Sequence, residues 1–219
     1  MKERASWPMK AWEVRAILDG RKTQTRRVVK LTDSGRVKEP GSPRNWHLDD
    51  PEAVMACPYG VPGDRLWVRE AWQAFFADEV PADRPRGPRH TMGIPAQPER
   101  ESFVFYRADG DLSHPEDGSE ALWRPSIHMP RWASRLTLEI VSVRVERVQE
   151  ISEGDCWDEG IEEWLNDDKN LPRYSDGTPG KYLNIKQAFR ALWDSINAKR
   201  AAWESNPFVR VIEFRRVGE

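Results

Sequence analysis

Lys22 and Thr25 have the residue types and spacing of a nucleophile and its base. They are three positions apart in the segment LDGRKTQTRRVV, just after a glycine. In a turn at Gly20 both side chains would share one face, whereas in an extended strand they would not. Like charges nearby disfavour an ammonium group, and a neutral lysine can take the proton of a threonine hydroxyl. Such a site would also need a carboxylate to hold the lysine or carry a proton.

The arginines of the same segment offer a second kind of chemistry. Guanidinium groups bind phosphates and stabilise the oxyanion of a carbonyl under attack. The alternative is that this run of charge is a solvated corner after a helix, since many matches to short motifs are false. The arginines concerned are Arg21, Arg26 and Arg27.

Charge is balanced over the whole chain but not along it. The formal net charge of −2 argues against a protein that coats nucleic acid without specificity. Residues 1–46 hold twelve Lys/Arg and five Asp/Glu, whereas residues 146–170 hold two Lys/Arg and ten Asp/Glu. Because opposite charges attract, we expect these two segments to lie near each other in the fold.

Cysteine usage and hydropathy indicate the compartment. Cys57 and Cys156 are the only cysteines, so we expect no disulfide framework. These cysteines and the four histidines fit no zinc-binding spacing. No stretch approaches the about 18 apolar residues of a membrane span, and the charged first residues do not resemble a signal peptide. We therefore expect a soluble, cytoplasmic protein without a metal or other cofactor.

Several elements must position the basic segment. Apolar spacing predicts a helix over Met9–Asp19 that ends at Gly20. The segment VPGDRLWVREAW predicts a turn and then a strand over about Asp64–Glu70. In RLTLEIVSVRVERV the apolar alternation slips by one residue at Ile140/Val141, which indicates a β-bulge.

Later signals complete the predicted fold. Ser152 and Asp155 have the spacing of a capping box, and Gly160 predicts the end of that helix. An amphipathic helix follows from Ile185, and FVRVIEF predicts a closing strand. The simplest architecture is a single α+β domain over 1–219, built on a small, partly closed β-barrel with a long insertion at about 31–130.

Together these motifs resemble the ASCH-domain family, part of the PUA-like group of small β-barrels associated with RNA and modified nucleosides. The resemblance is carried by ILDGRKTQTRR, PGDRLWVRE, ISEGDCWDEGI, FVRVIEF and the long bulged strand. In size and in its Trp-rich segments, the chain is most similar to ASCH proteins of phages and prophages. The resemblance implies RNA or a modified nucleoside as the partner.

One bacterial branch of that family hydrolyses the acetyl amide of N4-acetylcytidine. The resemblance carries its catalytic lysine and threonine onto Lys22 and Thr25, and its glutamate, in the helix after the long strand, onto Glu159. It thereby implies an amidohydrolase that acts on N4-acetylcytidine-like nucleosides. Gln24 and Arg26 stand where that branch has apolar residues.

Further residues are candidates for holding the substrate, by hydrogen bonding, stacking or phosphate binding. For Glu70 the alternative is a salt bridge to an arginine, and for the tryptophans it is the core. Two other functions remain open: a non-catalytic module that grips single-stranded RNA, and a ribonuclease, for which no histidine pair or metal-carboxylate spacing gives independent support. The predicted substrate-binding residues are Gly20, Arg21, Arg26, Arg27, Glu70, Trp72, Arg131 and Trp132.

Overall fold

The computed structural model describes residues 1–38, 44–48, 50, 56–76, 89–90, 102–110, 123–165, 172–175 and 184–218. The helices are α1 (Ala11–Leu18), α2 (Glu153–Asp158) and α3 (Ile185–Ala201). The strands are β1 (Glu3–Pro8), β2 (Gln24–Val28), β3 (Val37–Lys38), β4 (Asn45–Trp46), β5 (Arg65–Arg69), β6 (Trp72–Phe76), β7 (Arg89–His90), β8 (Ser102–Tyr106), β9 (Thr137–Arg147), β10 (Glu162–Leu165), β11 (Pro172–Ser175) and β12 (Phe208–Arg216).

The largest sheet among these residues is mixed and has the order β1-β5-β9-β12-β2. β12 runs antiparallel to both β9 and β2. β1 and β5 run parallel, because Arg65 donates to the Lys2 carbonyl at one end and Met9 to the Arg69 carbonyl at the other. The α+β class is therefore confirmed. The described residues form no closed barrel, so the predicted barrel stays a prediction.

The chain divides into two compact units. Unit 1 comprises Met1–Glu3, Ala16–Leu66 and Leu138–Glu219, and unit 2 comprises Arg4–Arg15 and Trp67–Thr137. The division does not test the single-domain prediction, and nearly half of the predicted insertion at about 31–130 lies outside the described residues. No helix in the described part of the chain is long and apolar enough to cross a membrane.

The predicted bulge in β9 is confirmed. Glu213 of β12 pairs with Ser142, but the next residue, Phe214, pairs with Ile140. Val141 is therefore an extra residue on β9, and it is 50% exposed. Side chains along a strand point alternately to the two faces of the sheet. The extra residue therefore shifts the apolar residues by one position, which is the slip seen in the sequence.

α1 ends where the sequence predicts, in a motif that orients the basic segment. Gly20 has φ +75°; its N–H donates to the Ile17 carbonyl, and the Arg21 N–H reaches back to the Ala16 carbonyl at 2.8 Å. This is the Schellman pattern, which favours glycine because left-handed backbone costs little without a Cβ. The Lys22 N–H also donates to the Ala16 carbonyl, at 2.9 Å, so the end of the helix fixes the lysine backbone.

α2 ends in the same way, one residue after Glu159. Its first turn has the predicted capping box between Ser152 and Asp155. At its end Gly160 has φ +88°, and a Cβ there would lie 3.1 Å from the Cβ atoms of both Ala16 and Lys22. The close approach allows Lys22 and Glu159 to pair as an isolated antiparallel β-bridge.

α3 begins at the N-cap Asn184, whose side chain accepts from the Lys186 and Gln187 N–H groups. Not all of the apolar residues that predict this helix are buried. Ile185 is buried, as are Phe189 and Leu192 one and two turns further along, whereas Ile196 is 48% exposed.

The glycine at the end of α2 gives a stability prediction. We expect Gly160→Ala to lower the free energy of unfolding by about 1–3 kcal/mol, because alanine disfavours a positive φ and its methyl group would crowd Ala16 and Lys22. Gly154→Ala, inside the same helix, is the matched control and should be neutral or stabilising by up to about 1 kcal/mol. Urea unfolding measures both, and equal effects of the two changes would contradict the role given to Gly160.

Candidate functional site

β2 divides the basic segment between the two faces of the sheet. Side chains along a strand alternate, so Gln24 and Arg26 lie on one face, and Thr25 and Arg27 lie on the other. Pairing extends each face across the sheet. Arg26 is opposite Val211, and Arg27 is opposite Arg210. We call the first the ion-pair face and the second the basic face.

On the ion-pair face, Lys22 and Arg26 bind the same carboxylate. The Lys22 Nζ donates to Glu159 Oε2 at 2.9 Å and to the Glu159 carbonyl at 2.8 Å. The Arg26 Nη1 donates to Glu159 Oε1 at 3.2 Å. All three side chains are at most 5% exposed. Glu159, which the family resemblance implies as a catalytic residue, therefore does meet Lys22.

Arg26 has further anionic partners around it. Its Nη2 lies 2.7 Å from Glu146 Oε1 and 3.3 Å from Asp155 Oδ2. Its guanidinium also lies 5.8 Å from the centre of the Phe189 ring of α3. Burying a charge is costly unless partners compensate it, and here three carboxylates surround one guanidinium. Arg26 thus binds within the protein, not at an open surface.

Asp155 joins this network to the first turn of α2. Gln24 Nε2 and Arg144 Nη2 each donate to its Oδ1 at 2.8 Å, and Ser152 Oγ donates to its Oδ2 at 2.7 Å. Burial alone would raise the pKa of Asp155. The hydrogen bonds from Gln24 and Ser152 and the charge of Arg26 outweigh burial and hold the pKa well below its usual range.

The expected proximity of the oppositely charged segments is confirmed. Besides the contacts of Lys22 and Arg26, Arg21 pairs with Glu162 at 2.8 Å. Thr23 donates its hydroxyl to Asp158 at 3.1 Å and its N–H to the Asp158 carbonyl at 2.8 Å. The 18–29 segment is therefore neither a solvated corner nor a uniformly exposed basic patch.

The predicted turn that would put Lys22 and Thr25 on one face is wrong. Lys22 forms a β-bridge, β2 begins two residues later, and Thr25 pairs with Ile212 on the basic face. Pairing with β12 imposes strand alternation, which separates the 3% exposed Thr25 from the residues around Glu159. The predicted catalytic trio is thus brought together only in part.

Cys156 of α2 is also unsuited to nucleophilic chemistry. Burial raises the pKa of its thiol to about 12, and the thiolate is the reactive form. Burial is the largest cause of this shift.

The basic face brings Arg27 and Arg210 to directly opposed positions. Arg210 is only 4% exposed and donates from Nη2 to the Ala56 carbonyl at 3.2 Å. Burial lowers the pKa of its guanidinium. Sequence reasoning missed Arg210, although a cation flanked by valines in the closing strand FVRVIEF was the available signal. An apolar cluster adjoins this face: Val29 and Val37, with Trp46, Leu48, Val145 and Phe208 packed against them.

The candidate residues of unit 2 lie in a separate network. Glu70 forms a two-point ion pair with Arg135, at 3.0 and 3.1 Å, which matches the salt-bridge alternative. Arg135 also pairs with Asp109 at 2.8 Å and lies 4.0 Å from the centre of the Tyr106 ring. Burial raises the pKa of Glu70, against the opposing hydrogen bond and charge of Arg135.

The tryptophan candidates of unit 2 pack in its core. Trp72 is 3% exposed and meets Trp132 edge to face, with ring centres 5.5 Å apart. This packing does not support base stacking by Trp72. Arg131 is exposed in a short 3-10 turn over Arg131–Ala133.

Comparison of the chain with protein-family models, with curated proteins and with solved structures finds no match. The function must therefore be inferred from the chain itself.

Asp155 gives a prediction about pH. A carboxyl whose pKa is lower in the folded than in the unfolded state stabilises the fold above its unfolded pKa of about 3.9, and that contribution disappears as the pH falls towards the folded pKa. We expect Asp155→Asn to be less stable than wild type at neutral pH, by a margin that shrinks from about pH 5 to about pH 2. Urea unfolding over this range measures the margin.

Asp19→Asn is the control for that experiment, since the Asp19 side chain is 58% exposed. Its difference from wild type should stay small at every pH. A margin for Asp155→Asn that is constant with pH would contradict the ion-pair role of this carboxylate.

Proposed function

We propose that this protein is an ASCH-type, PUA-like domain that binds single-stranded RNA or a modified nucleoside, with the basic face as its binding surface. In this proposal the protein is a binding module, and the main sheet is the part of a PUA-like barrel that carries the site. The sequence motifs support the family, and the arrangement of cations on the sheet supports the mode of binding.

The observation that carries the proposal is the pair Arg27 and Arg210. Like charges directly opposite each other on a sheet destabilise it, and one of these two is almost fully buried. A phosphate bound at this face would attract both guanidinium groups. Guanidinium groups present planar sets of donors that match phosphate oxygens, so an RNA phosphate is the ligand group that fits this pair.

The apolar cluster beside the arginines supports a nucleic-acid ligand over a free inorganic anion. Trp46 and Phe208 are partly buried and pack against that cluster. The centre of the Phe208 ring also lies 3.6 Å from the Cζ atom of Arg147. Single-stranded nucleic acids are held by stacking of bases on aromatic rings next to cations that contact phosphate.

Binding is favoured over hydrolysis because of the ion-pair face. A threonine nucleophile needs a base within hydrogen-bond reach, about 2.6–3.2 Å. Lys22 instead donates to two oxygens of Glu159, while strand alternation directs Thr25 to the other face of β2. Lys22, Glu159 and Arg26 then position β2 and α2.

The first test measures the salt dependence of RNA binding. Counterion release makes the affinity for a short single-stranded RNA fall with salt, with a slope in the log–log plot of about −0.7 for each phosphate contact. We expect Arg27→Gln to weaken binding and to reduce that slope by about 0.7. Fluorescence anisotropy with a labelled oligonucleotide at several salt concentrations gives both quantities.

Arg21→Gln is the matched control, because it removes the same charge from the same segment. Arg21 is paired with Asp19 and Glu162, so its loss should leave the slope nearly unchanged. The proposal would be contradicted if the wild-type protein bound no RNA at low salt, or if both variants changed the slope equally.

The second test separates binding from catalysis. We expect wild-type protein to release no acetate from N4-acetylcytidine above the uncatalysed rate, and Thr25→Val to bind RNA as wild type does, because the hydroxyl does no chemistry. Acetate is measured enzymatically after prolonged incubation. Release of acetate by the wild type that disappears in Thr25→Val would replace the binding module with a hydrolase.

A further inference from the structure

Unit 1 contains a cavity of about 320 Å³ next to the buried end of Arg210. It adjoins the ends of β2 and β12 and the turn after Ala56. Ligand cavities in proteins span about 300–1,000 Å³, so this one suits a small ligand. Its lining residues are Val28, Lys30, Lys38, Pro58, Tyr59 and Arg210.

The charged residues in the described lining of the cavity are all positive. Lys30, Lys38 and Arg210 are cations, and the described lining contains no carboxylate. Three cations around one small cavity favour a ligand group with more than one negative charge, and a phosphate monoester is close to dianionic at neutral pH.

Arg210 is the buried cation of this lining. The contact from its Nη2 to the Ala56 carbonyl is to a neutral acceptor, and the side chain is buried, so little conformational freedom remains to be lost on binding. Lys30 and Lys38 are exposed and supply mobile ammonium groups. A guanidinium binds phosphate through paired planar donors, and an ammonium group binds it as a point charge.

The remaining lining suits the organic part of the ligand. Tyr59 is half-buried and offers an aromatic ring beside Pro58 and Val28. Bases and sugars pack on such surfaces, and bases in particular stack on aromatic side chains. A small volume, a cationic end and an aromatic wall together match one nucleotide.

We propose that this cavity binds the phosphate monoester of a nucleotide, either a free mononucleotide or the 5′-phosphorylated end of an RNA strand. The proposal rests on the proposed function and deepens it, since Arg210 belongs to both the basic face and the cavity. Arg27 contacts the internal phosphates of a strand, and the cavity reads the terminal one.

The experiment compares ligands that differ only in the monoester. Calorimetric titrations use cytidine, CMP, and one short RNA with either a 5′-phosphate or a 5′-hydroxyl. We expect CMP to bind at least about tenfold more tightly than cytidine, or the phosphorylated RNA more tightly than its hydroxyl form by the same factor. CMP binding as tight as that of the phosphorylated RNA assigns the cavity to free nucleotides, and tighter RNA binding assigns it to strand ends.

The double variant Lys30→Gln/Lys38→Gln tests the cavity itself. Both lysines are exposed, so the variant should fold, as circular dichroism can verify. It should lose the preference for the phosphorylated ligand, whereas the control Lys199→Gln/Arg200→Gln, on the exposed end of α3, should keep it. No preference in the wild type, or a preference that survives in the cavity variant, overturns the inference.

The two proposals fail in different ways. RNA binding that depends on Arg27 but ignores the terminal phosphate leaves the proposed function standing and removes the cavity as its phosphate site. CMP binding that depends on Lys30 and Lys38, without any RNA binding, keeps the cavity as a nucleotide site and removes RNA as the partner.

Discussion

The fold of unit 1 depends on one carboxylate between two buried cations. Glu159 binds Lys22 and Arg26 at the same time, and these contacts hold α2 against the start of β2. Removing one partner of a buried ion pair costs about 3–5 kcal/mol, because an uncompensated charge remains. That amount is a large part of the total stability of an ordinary domain, so the packing of α2 and the position of β2 are coupled. The two Schellman glycines serve this contact by bringing their helix ends together.

Strand alternation places the residues of one short segment in two different environments. Gln24 and Arg26 face the carboxylates and stabilise the fold, while Arg27, one position further on, faces a second arginine on the opposite side. The sheet face beneath α2 is an ion-pair network, and contacts with Asp155, Glu146 and Arg144 make polar side chains tolerable there.

Features set by local sequence were predictable, and features set by long-range pairing were not. Gly20, Gly160 and the capping box predicted helix ends, because their physics lies within a few residues. The slip at Val141 predicted the bulge for the same reason. The orientation of Thr25 depended on β2 pairing with β12, nearly two hundred residues away in sequence. Arg210 was missed because its position beside Arg27 arises only from the pairing of β12 with β2. Uneven charge did carry long-range information, and it brought the basic and acidic segments together correctly.

Asp155 has two structural roles that depend on each other during folding. It closes the capping box of α2, and it also accepts from Gln24 and Arg144 on the sheet. A helix of six residues is far too short to persist alone in water. The capping box therefore has little helix to stabilise until the sheet supplies the side-chain donors that bind Asp155. We therefore expect α2 to form only as it docks on the paired strands β9, β12 and β2. Separation of β2 from β12 should then open the helix as well.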